Sequence, residues 1–177
     1  NIWITGFFGS GKTSLLLLIE NKLLANKVRA HKINMAAIKG EADFFESLYG
    51  YLKIKRKQRT PADIIRSLEK QRLILLVDEF GVIENNPNYS ETFSAGLRGI
   101  VDNSKLQLVI TSQKLIDQSK FKGSPLTNIF VHISLPPLTA DAVISLLREF
   151  ARTSGAKLDE SSLQKAVELT QGSPRNI

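Results

Sequence analysis

A glycine-rich segment near the start of the chain has the residue types and spacing of a phosphate-binding loop. Residues 6–13 read GFFGSGKT and fit the pattern G-x-x-x-x-G-K-[ST]. They lie between a predicted strand and a predicted helix, as the pattern requires. In such a loop the glycines let backbone N–H groups converge on phosphates at the positive end of the following helix. The segment therefore predicts a site for the phosphate groups of a nucleotide.

Two side chains of this loop predict how phosphates and a cation would be held. The Lys12 ammonium is expected to reach the β- and γ-phosphates, and the Thr13 hydroxyl is expected to bind Mg²⁺. Phe7 and Phe8 are interpreted first as packing residues, with stacking on an adenine base as the alternative.

A second candidate motif is an apolar strand that ends in two acids. Residues 73–77 read LILLV, and Asp78 and Glu79 follow directly. Asp78 is predicted to complete the Mg²⁺ shell, usually through water, and Glu79 to polarise the water that attacks the γ-phosphate. The alternative is that the two acids cap a helix after the strand.

Hydroxyl and amide groups end another predicted strand, at Thr111, Ser112 and Gln113. In a parallel sheet this strand end would lie beside the acidic pair, where one of these groups could orient the attacking water. Simple solvation of a strand end is the alternative.

Short apolar blocks alternate with longer amphipathic segments, which predicts a layered α/β domain. Strands are predicted over 2–5, 28–33, 73–77, 106–111 and 130–135, and helices over 12–25, 43–54, 61–70, 91–101, 140–153 and 160–170. The predicted helix caps are Thr60, Ser90, Thr139 and Asp159 at the starts, and Gly155 and Gly172 at the ends. Helical crossovers between these strands predict one parallel sheet that binds ligands at the carboxyl ends of its strands.

Composition narrows the function classes. The chain has 177 residues, 42% of them hydrophobic, and no cysteine, which predicts one domain without disulfides or thiolate metal sites. His31 and His132 are isolated in the sequence and do not have the spacing of metal ligands.

No run approaches the ~18 apolar residues of a membrane span, so we expect a cytoplasmic protein with no membrane partner. Because the chain starts at Asn1, directly before the predicted strand 2–5, and its only methionine is Met35, we expect it to be a piece of a longer protein.

A dense basic run is a candidate nucleic-acid contact. The net charge is +7, and five cations fall within seven residues, at Lys53, Lys55, Arg56, Lys57 and Arg59. Such side chains could bind the phosphates of DNA or RNA. A solvated helix end is the alternative, since no aromatic residue interrupts the run.

With a Walker A loop, an Asp-Glu Walker B strand and a polar strand end in order, the chain resembles the AAA+ and STAND branch of P-loop ATPases. The resemblance implies a three-layer fold with a parallel five-stranded sheet, helices on both faces and a small helical lid. The segment 133–142 is similar to the stretch through which origin-recognition-like, transposition-regulator and STAND ATPases enter that lid. We therefore place the α/β core at 1–137 and the start of the lid at 138–177.

The resemblance adds lid residues to the site. Residues 169–175 read LTQGSPR and are similar to two versions of the family's lid motif. Arg175 could contact the γ-phosphate, or Pro174 could line the adenine pocket, and a surface position is the alternative for Arg175. ATP rather than GTP is implied by the family, since no guanine-reading Asn-Lys-x-Asp stretch is present.

The sequence departs from the family pattern at one position. Many AAA+ proteins place an arginine finger before the fifth strand, where it completes a neighbouring subunit's site. Asn128 stands at that position. Lys120 or Lys122 could substitute, although lysine lacks the planar fork of arginine. Self-association is therefore an open expectation, and a switch that hydrolyses slowly becomes more plausible.

These motifs predict a domain that binds ATP with Mg²⁺ and hydrolyses it to drive conformational change in a larger protein. The alternative is a slow or non-hydrolysing nucleotide-dependent module that binds DNA or protein. A small-molecule kinase is disfavoured, because such enzymes usually need no activated water. The nucleotide-binding candidates are Gly6, Phe8, Gly9, Ser10, Gly11, Lys12, Thr13, Ser14, Asp78 and Pro174, the metal candidates are Thr13 and Asp78, and the catalytic candidates are Lys12, Glu79, Thr111, Ser112 and Arg175.

Overall fold

Helices and strands alternate along the chain in the computed structural model, which describes residues 1–55, 60–116 and 126–176, apart from the side chain of Thr127. The elements are β1 (Ile2–Thr5), α1 (Lys12–Ala25), β2 (Ala30–Asn34), α2 (Glu41–Tyr51), α3 (Pro61–Leu68), β3 (Leu73–Asp78), α4 (Phe93–Asp102), β4 (Leu106–Ser112), β5 (Val131–Ser134), α5 (Ala140–Ser154) and α6 (Glu160–Thr170). Short 3₁₀ helices follow β2, β3 and α6, and another precedes β5.

The strands form one sheet in the order β2-β3-β4-β1-β5, and every pair is parallel. In register, Thr5 lies opposite Ser112, and Val77 lies opposite Ile110. The segments that follow β1, β3 and β4 therefore leave the sheet at one edge. This arrangement confirms the predicted parallel five-stranded sheet and brings the glycine-rich loop to the same edge as the acidic pair, with the end of β4 between them.

Alternate residues of β3 face two separate cores, because successive side chains of a strand point to opposite faces. Leu73, Leu75 and Val77 are buried in the core that α2, α3 and α4 cover, whereas Leu76 packs with Leu16 of α1 on the other face. Helices on both faces of the sheet make the three layers that the resemblance implies.

The predicted helix starts and ends are mostly confirmed. Thr60 and Asp63 form a reciprocal capping box at α3, and Thr139 and Asp159 accept backbone hydrogen bonds at the starts of α5 and α6. Gly155 ends α5 with a φ of 72°.

Three of these predictions differ from the structure. Ser90 is not a cap, because its hydroxyl donates to Glu41 and α4 begins later, at Phe93. Helix α2 ends at Tyr51, short of the predicted 54, because Lys53 adopts a left-handed φ of 56°. Gln171, with a φ of 48°, is the residue that ends α6, one position before Gly172.

Gly172 is itself left-handed, with a φ of 74°, as predicted for this end of α6, and it also lies at the contact with the segment before α5. A Cβ at Gly172 would lie 2.4 Å from the carbonyl oxygen of Leu138, so only glycine fits. The Leu138 N–H donates to the Gly172 carbonyl over 2.8 Å.

In the described ranges, no helix is both long and apolar enough to cross a membrane.

Candidate nucleotide-binding site

The loop between β1 and α1 has the conformation of an anion cradle. Gly9 and Gly11 have φ values of 84° and 87°, a left-handed conformation that costs side-chain-bearing residues energy. Helix α1 begins at Lys12, directly after Gly11, so its unpaired N–H groups and its positive dipole end face the loop.

Lys12 is folded back onto this loop. Its ammonium donates hydrogen bonds to the carbonyls of Gly6 over 2.8 Å and of Phe7 over 2.9 Å, and the residue is only 5% exposed. Burial lowers the pKa of Lys12, while the nearby carboxylates of Glu79 and Asp78 oppose that shift. The cation is thus desolvated, and binding a phosphate would give it a stronger partner than a neutral carbonyl.

Ser10 carries a buried polar atom that no protein group satisfies. Its hydroxyl oxygen is buried and has no hydrogen-bond partner in the described residues. An unpaired buried hydroxyl costs free energy, and this oxygen is packed against Gly6, where a Cβ would lie 2.7 Å from it. The left-handed glycines and the start of α1 at Lys12, rather than this hydroxyl, fit the phosphate group that the sequence predicts.

The acidic strand end is held by hydrogen bonds from the neighbouring strand. The Thr111 hydroxyl donates to Asp78 Oδ1 over 2.5 Å, and the Glu79 N–H donates to the same oxygen over 3.1 Å. Asp78 is only 2% exposed. Since both bonds use Oδ1, Oδ2 remains available to a metal-bound water.

Glu79 adopts a left-handed conformation, with φ 55° and ψ 40°. Such a conformation is unfavourable for a residue with a side chain and is found mainly at turns and functional sites. Its N–H also lies 3.2 Å from the Thr111 hydroxyl oxygen. The strained turn directs the chain so that Glu79 lines the cleft beside the loop.

That cleft has a volume of about 330 Å³ and brings together most of the predicted site. It is lined by Phe8, Gly9, Gly11, Lys12, Thr13, Ser14, Glu79, Pro174 and Arg175. Oxygen groups of the kind that Mg²⁺ prefers are present in Thr13 and Asp78. The described residues contain no group of three or more His, Cys, Asp or Glu that could hold a metal by themselves, so an ion here would depend on phosphate oxygens and water.

The Ser112 hydroxyl makes hydrogen bonds to groups other than the acidic pair. Its hydroxyl accepts a hydrogen bond from the Trp3 indole N–H over 2.7 Å and donates to the carbonyl of Lys114 over 2.6 Å. The residue is 1% exposed, and its hydroxyl has no free proton to offer a water. Sequence reasoning missed Trp3, because nothing local links it to a residue 109 positions away.

The segment after α6 meets the glycine-rich loop. The Arg175 guanidinium lies 4.3 Å from the centre of the Phe8 ring. A Cβ at Gly9 would lie 3.0 Å from the Arg175 Cβ and 3.1 Å from the Ser173 hydroxyl oxygen, so glycine allows this approach. Sequence reasoning missed Ser173, although it stands inside the motif that drew attention to Pro174 and Arg175.

Some predicted residues lie away from the cleft or outside the described residues. Lys53 and Lys55 follow α2 and lie near the start of β2, far from the carboxyl ends of the strands where the cleft is. Asn128 lies in the 3₁₀ helix Leu126–Ile129 before β5. Outside the described residues are Arg56, Lys57, Arg59, Lys120 and Lys122.

Comparison with known proteins gives distant relatives over nearly the whole chain. No family model matches. The chain is 26% identical over 165 residues to the chromosomal replication initiator protein DnaA of Lactobacillus johnsonii, covering 92% of this chain and 34% of that protein. The chain thus spans about a third of the length of the curated relatives it matches.

Solved structures show the same architecture. Domain III of the replication initiation protein DnaA from Thermotoga maritima superposes with a TM-score of 0.62 at 21% identity, covering 98% of this chain and 70% of that one. The ORC1 protein of Aeropyrum pernix, solved in complex with DNA, gives a TM-score of 0.72 at 16% identity, covering 99% of this chain and 51% of that one. The chain therefore shares the fold of these solved structures, with the parallel sheet and helix layers that its sequence predicts.

Proposed function

We propose that this domain binds ATP with Mg²⁺ and hydrolyses it. The observation that carries the proposal is the position of Glu79, which lines the same cleft as Lys12 and Thr13 and directly follows Asp78. A carboxylate beside the phosphate loop is placed to accept a proton from an attacking water. A domain that only holds a nucleotide has no need of this strained acid.

Each residue of the site has a distinct role in this proposal. The loop N–H groups and Lys12 bind the phosphates and neutralise the charge that develops on them. Thr13 and Asp78 would hold Mg²⁺, which supplies further charge neutralisation on the phosphate oxygens. Thr111 positions Asp78 through its hydrogen bond, and Glu79 takes up the water proton. Pro174 and Arg175 close the cleft from the side of the lid.

The test is steady-state phosphate release from MgATP together with fluorescent-ATP binding. We expect Lys12→Ala to abolish binding, and Glu79→Gln to retain binding while release falls by about 10²-fold or more. Glu168→Gln, an exposed change on α6, serves as the matched control and should behave as wild type. Phosphate release that persists in Glu79→Gln would remove the role assigned to this residue.

A second candidate function is a switch that holds ATP and hydrolyses it slowly. Two observations favour it: the Arg175 guanidinium stacks on Phe8 rather than lying free in the cleft, and Asn128 stands where a trans-acting arginine is expected. Tight fluorescent-ATP binding with negligible phosphate release in every condition would identify this function, which is typical of STAND proteins.

The domain boundaries, the cellular location and the partners are also proposals. We infer an α/β core over 1–137 and a lid over 138–177, in a cytoplasmic protein whose other parts use the conformational change. The relatives are named as replication initiators, and one solved neighbour is in complex with DNA. These names support a role on DNA, for which the basic run that starts at Lys53 is the candidate contact. Self-association is proposed from the resemblance of the motifs alone.

A further inference from the structure

A band of exposed cations occupies the edge of the sheet opposite the nucleotide cleft. Strands β2, β3 and β4 all begin at this edge, and the residues just before them are basic. Lys27 and Arg29 precede β2, Lys70 and Arg72 precede β3, and Lys105 precedes β4. We name these five residues, with Lys53 and Lys55 after α2, the basic edge.

Backbone hydrogen bonds show that these segments are direct neighbours. The Leu73 N–H donates to the carbonyl of Lys105 over 3.2 Å, and the Ile74 N–H donates to the carbonyl of Arg29 over 3.0 Å. Since adjacent strands lie ~4.8 Å apart, about 10 Å separates the first and third strand starts. Basic residues that are 78 positions apart in sequence thus form one row.

An aromatic contact joins the end of α2 to this row. The Tyr51 ring stacks on the His31 ring, with centroids 4.4 Å apart and planes at 20°, and the Arg29 guanidinium lies 5.6 Å from the centre of the Tyr51 ring. Arg29 also donates a hydrogen bond to Gln71. Lys53 and Lys55, which follow Tyr51, therefore extend the row beyond β2.

The charge of the basic edge is almost uncompensated. No salt bridge within the described residues involves any of its seven cations, and all but the half-buried Arg29 are exposed. Two acids near these cations already have partners: Asp102 pairs with Arg98, and Glu20 pairs with Lys32. Glu69, which precedes Lys70 in sequence, is the remaining acid close to the basic edge. Concentrated like charge is unfavourable in the free protein and becomes favourable when an anionic polymer binds.

We propose that the basic edge binds the phosphodiester backbone of a nucleic acid. A row of cations with spacings of several ångströms suits a chain of regularly spaced phosphates, and guanidinium groups bind phosphate in a bidentate fork. An anionic membrane is a poorer match, because among the exposed large apolar side chains of the described residues only Leu24 and Val131, at the start of β5, lie at this edge of the sheet. The proposal rests on the role on DNA proposed above and is independent of hydrolysis.

The first experiment measures binding of a fluorescein-labelled single-stranded oligonucleotide, and of the duplex of the same sequence, by fluorescence anisotropy over a series of salt concentrations. The test variant combines Lys27→Glu, Arg72→Glu and Lys105→Glu. The control variant combines Arg148→Glu, Lys157→Glu and Lys165→Glu, which changes the net charge equally on α5, on α6 and between them. We expect the test variant to lose at least about tenfold in affinity, with a duplex salt slope lower by about 3, and the control to stay within about threefold of wild type.

Further measurements separate this proposal from the proposed ATPase. The test variant should keep wild-type fluorescent-ATP binding and basal phosphate release, which also shows that it folds, and Lys12→Ala should bind the oligonucleotides while failing to bind ATP. A milder variant with Gln at the same three positions replaces the test variant if that one does not fold. Equal oligonucleotide binding by wild type and test variant, an equal loss in the control, or preferential binding of phosphatidylserine vesicles over both oligonucleotides would overturn the proposal.

Discussion

The guanidinium of Arg175 lies 4.3 Å from the centre of the Phe8 ring, so the segment after α6 meets the glycine-rich loop through a cation–π contact. Phe8 is 60% exposed, and its ring covers the side of the loop on which Gly9 approaches Ser173 and Arg175. An arginine that a γ-phosphate would attract is therefore already paired with a residue of the loop itself. If the domain binds ATP as proposed, this contact would compete with the γ-phosphate for the Arg175 charge.

Removing the Phe8 ring should strengthen ATP binding. A cation–π contact at an exposed site contributes about 0.5–1 kcal/mol, so Phe8→Ala is expected to raise fluorescent-ATP affinity by about twofold to fivefold. Phe7→Ala is the matched control, because Phe7 is the adjacent aromatic residue and makes no stacking contact with Arg175. A loss of affinity in Phe8→Ala would instead support stacking of Phe8 on the adenine base.

Thr111→Val should impair catalysis by releasing Asp78. The substitution keeps the shape of Thr111 but removes the donor that holds Asp78 Oδ1 at 2.5 Å. Since hydrogen bonds to charged groups contribute about 1.5–3 kcal/mol, we expect the free energy of unfolding to fall by about 2 kcal/mol and phosphate release by about tenfold.

Mg²⁺ titration distinguishes positioning of Asp78 from a general loss of stability. In Thr111→Val the half-saturating Mg²⁺ concentration for phosphate release should rise, whereas Thr111→Ser, which keeps the hydroxyl, should remain close to wild type. Wild-type release and Mg²⁺ dependence in Thr111→Val would show that Asp78 needs no support from β4.

Ser112→Ala should reduce stability rather than catalysis. Its hydroxyl bonds the Trp3 indole and the Lys114 carbonyl, so the substitution leaves a buried indole N–H unpaired at a cost of about 1–3 kcal/mol. The cost should shrink when Trp3→Phe removes the donor as well, and urea unfolding of the four proteins measures this coupling. Trp3 is the only tryptophan in the chain, so circular dichroism must follow unfolding. Normal stability with lost phosphate release would return Ser112 to the water-orienting role.

The sequence predicted those site residues that a shared sheet edge brings together. Asp78 and Thr111 end strands whose apolar patterns are strong, and parallel pairing alone places their side chains side by side. The bond between Trp3 and Ser112 was not predictable, because it depends on packing across 109 residues. Lys53 and Lys55 were predicted as part of the basic run, but the other five cations of the basic edge were not predicted for a related reason: they are scattered between positions 27 and 105, and only the strand order makes them neighbours.

Glu79 should show a trade-off between stability and function. A left-handed residue other than glycine costs roughly 1–2 kcal/mol, so Glu79→Gly, at a φ of 55°, should raise the free energy of unfolding by about 1 kcal/mol and abolish phosphate release. Lys27→Gly, at a φ of 59°, is the matched control and should gain similar stability with unchanged release. If Glu79→Gly is no more stable than wild type while Lys27→Gly is, interactions of the Glu79 side chain offset the strain, because the backbone N–H that bonds Asp78 and Thr111 is kept in the variant, and the acid is then held there at no net cost to the fold.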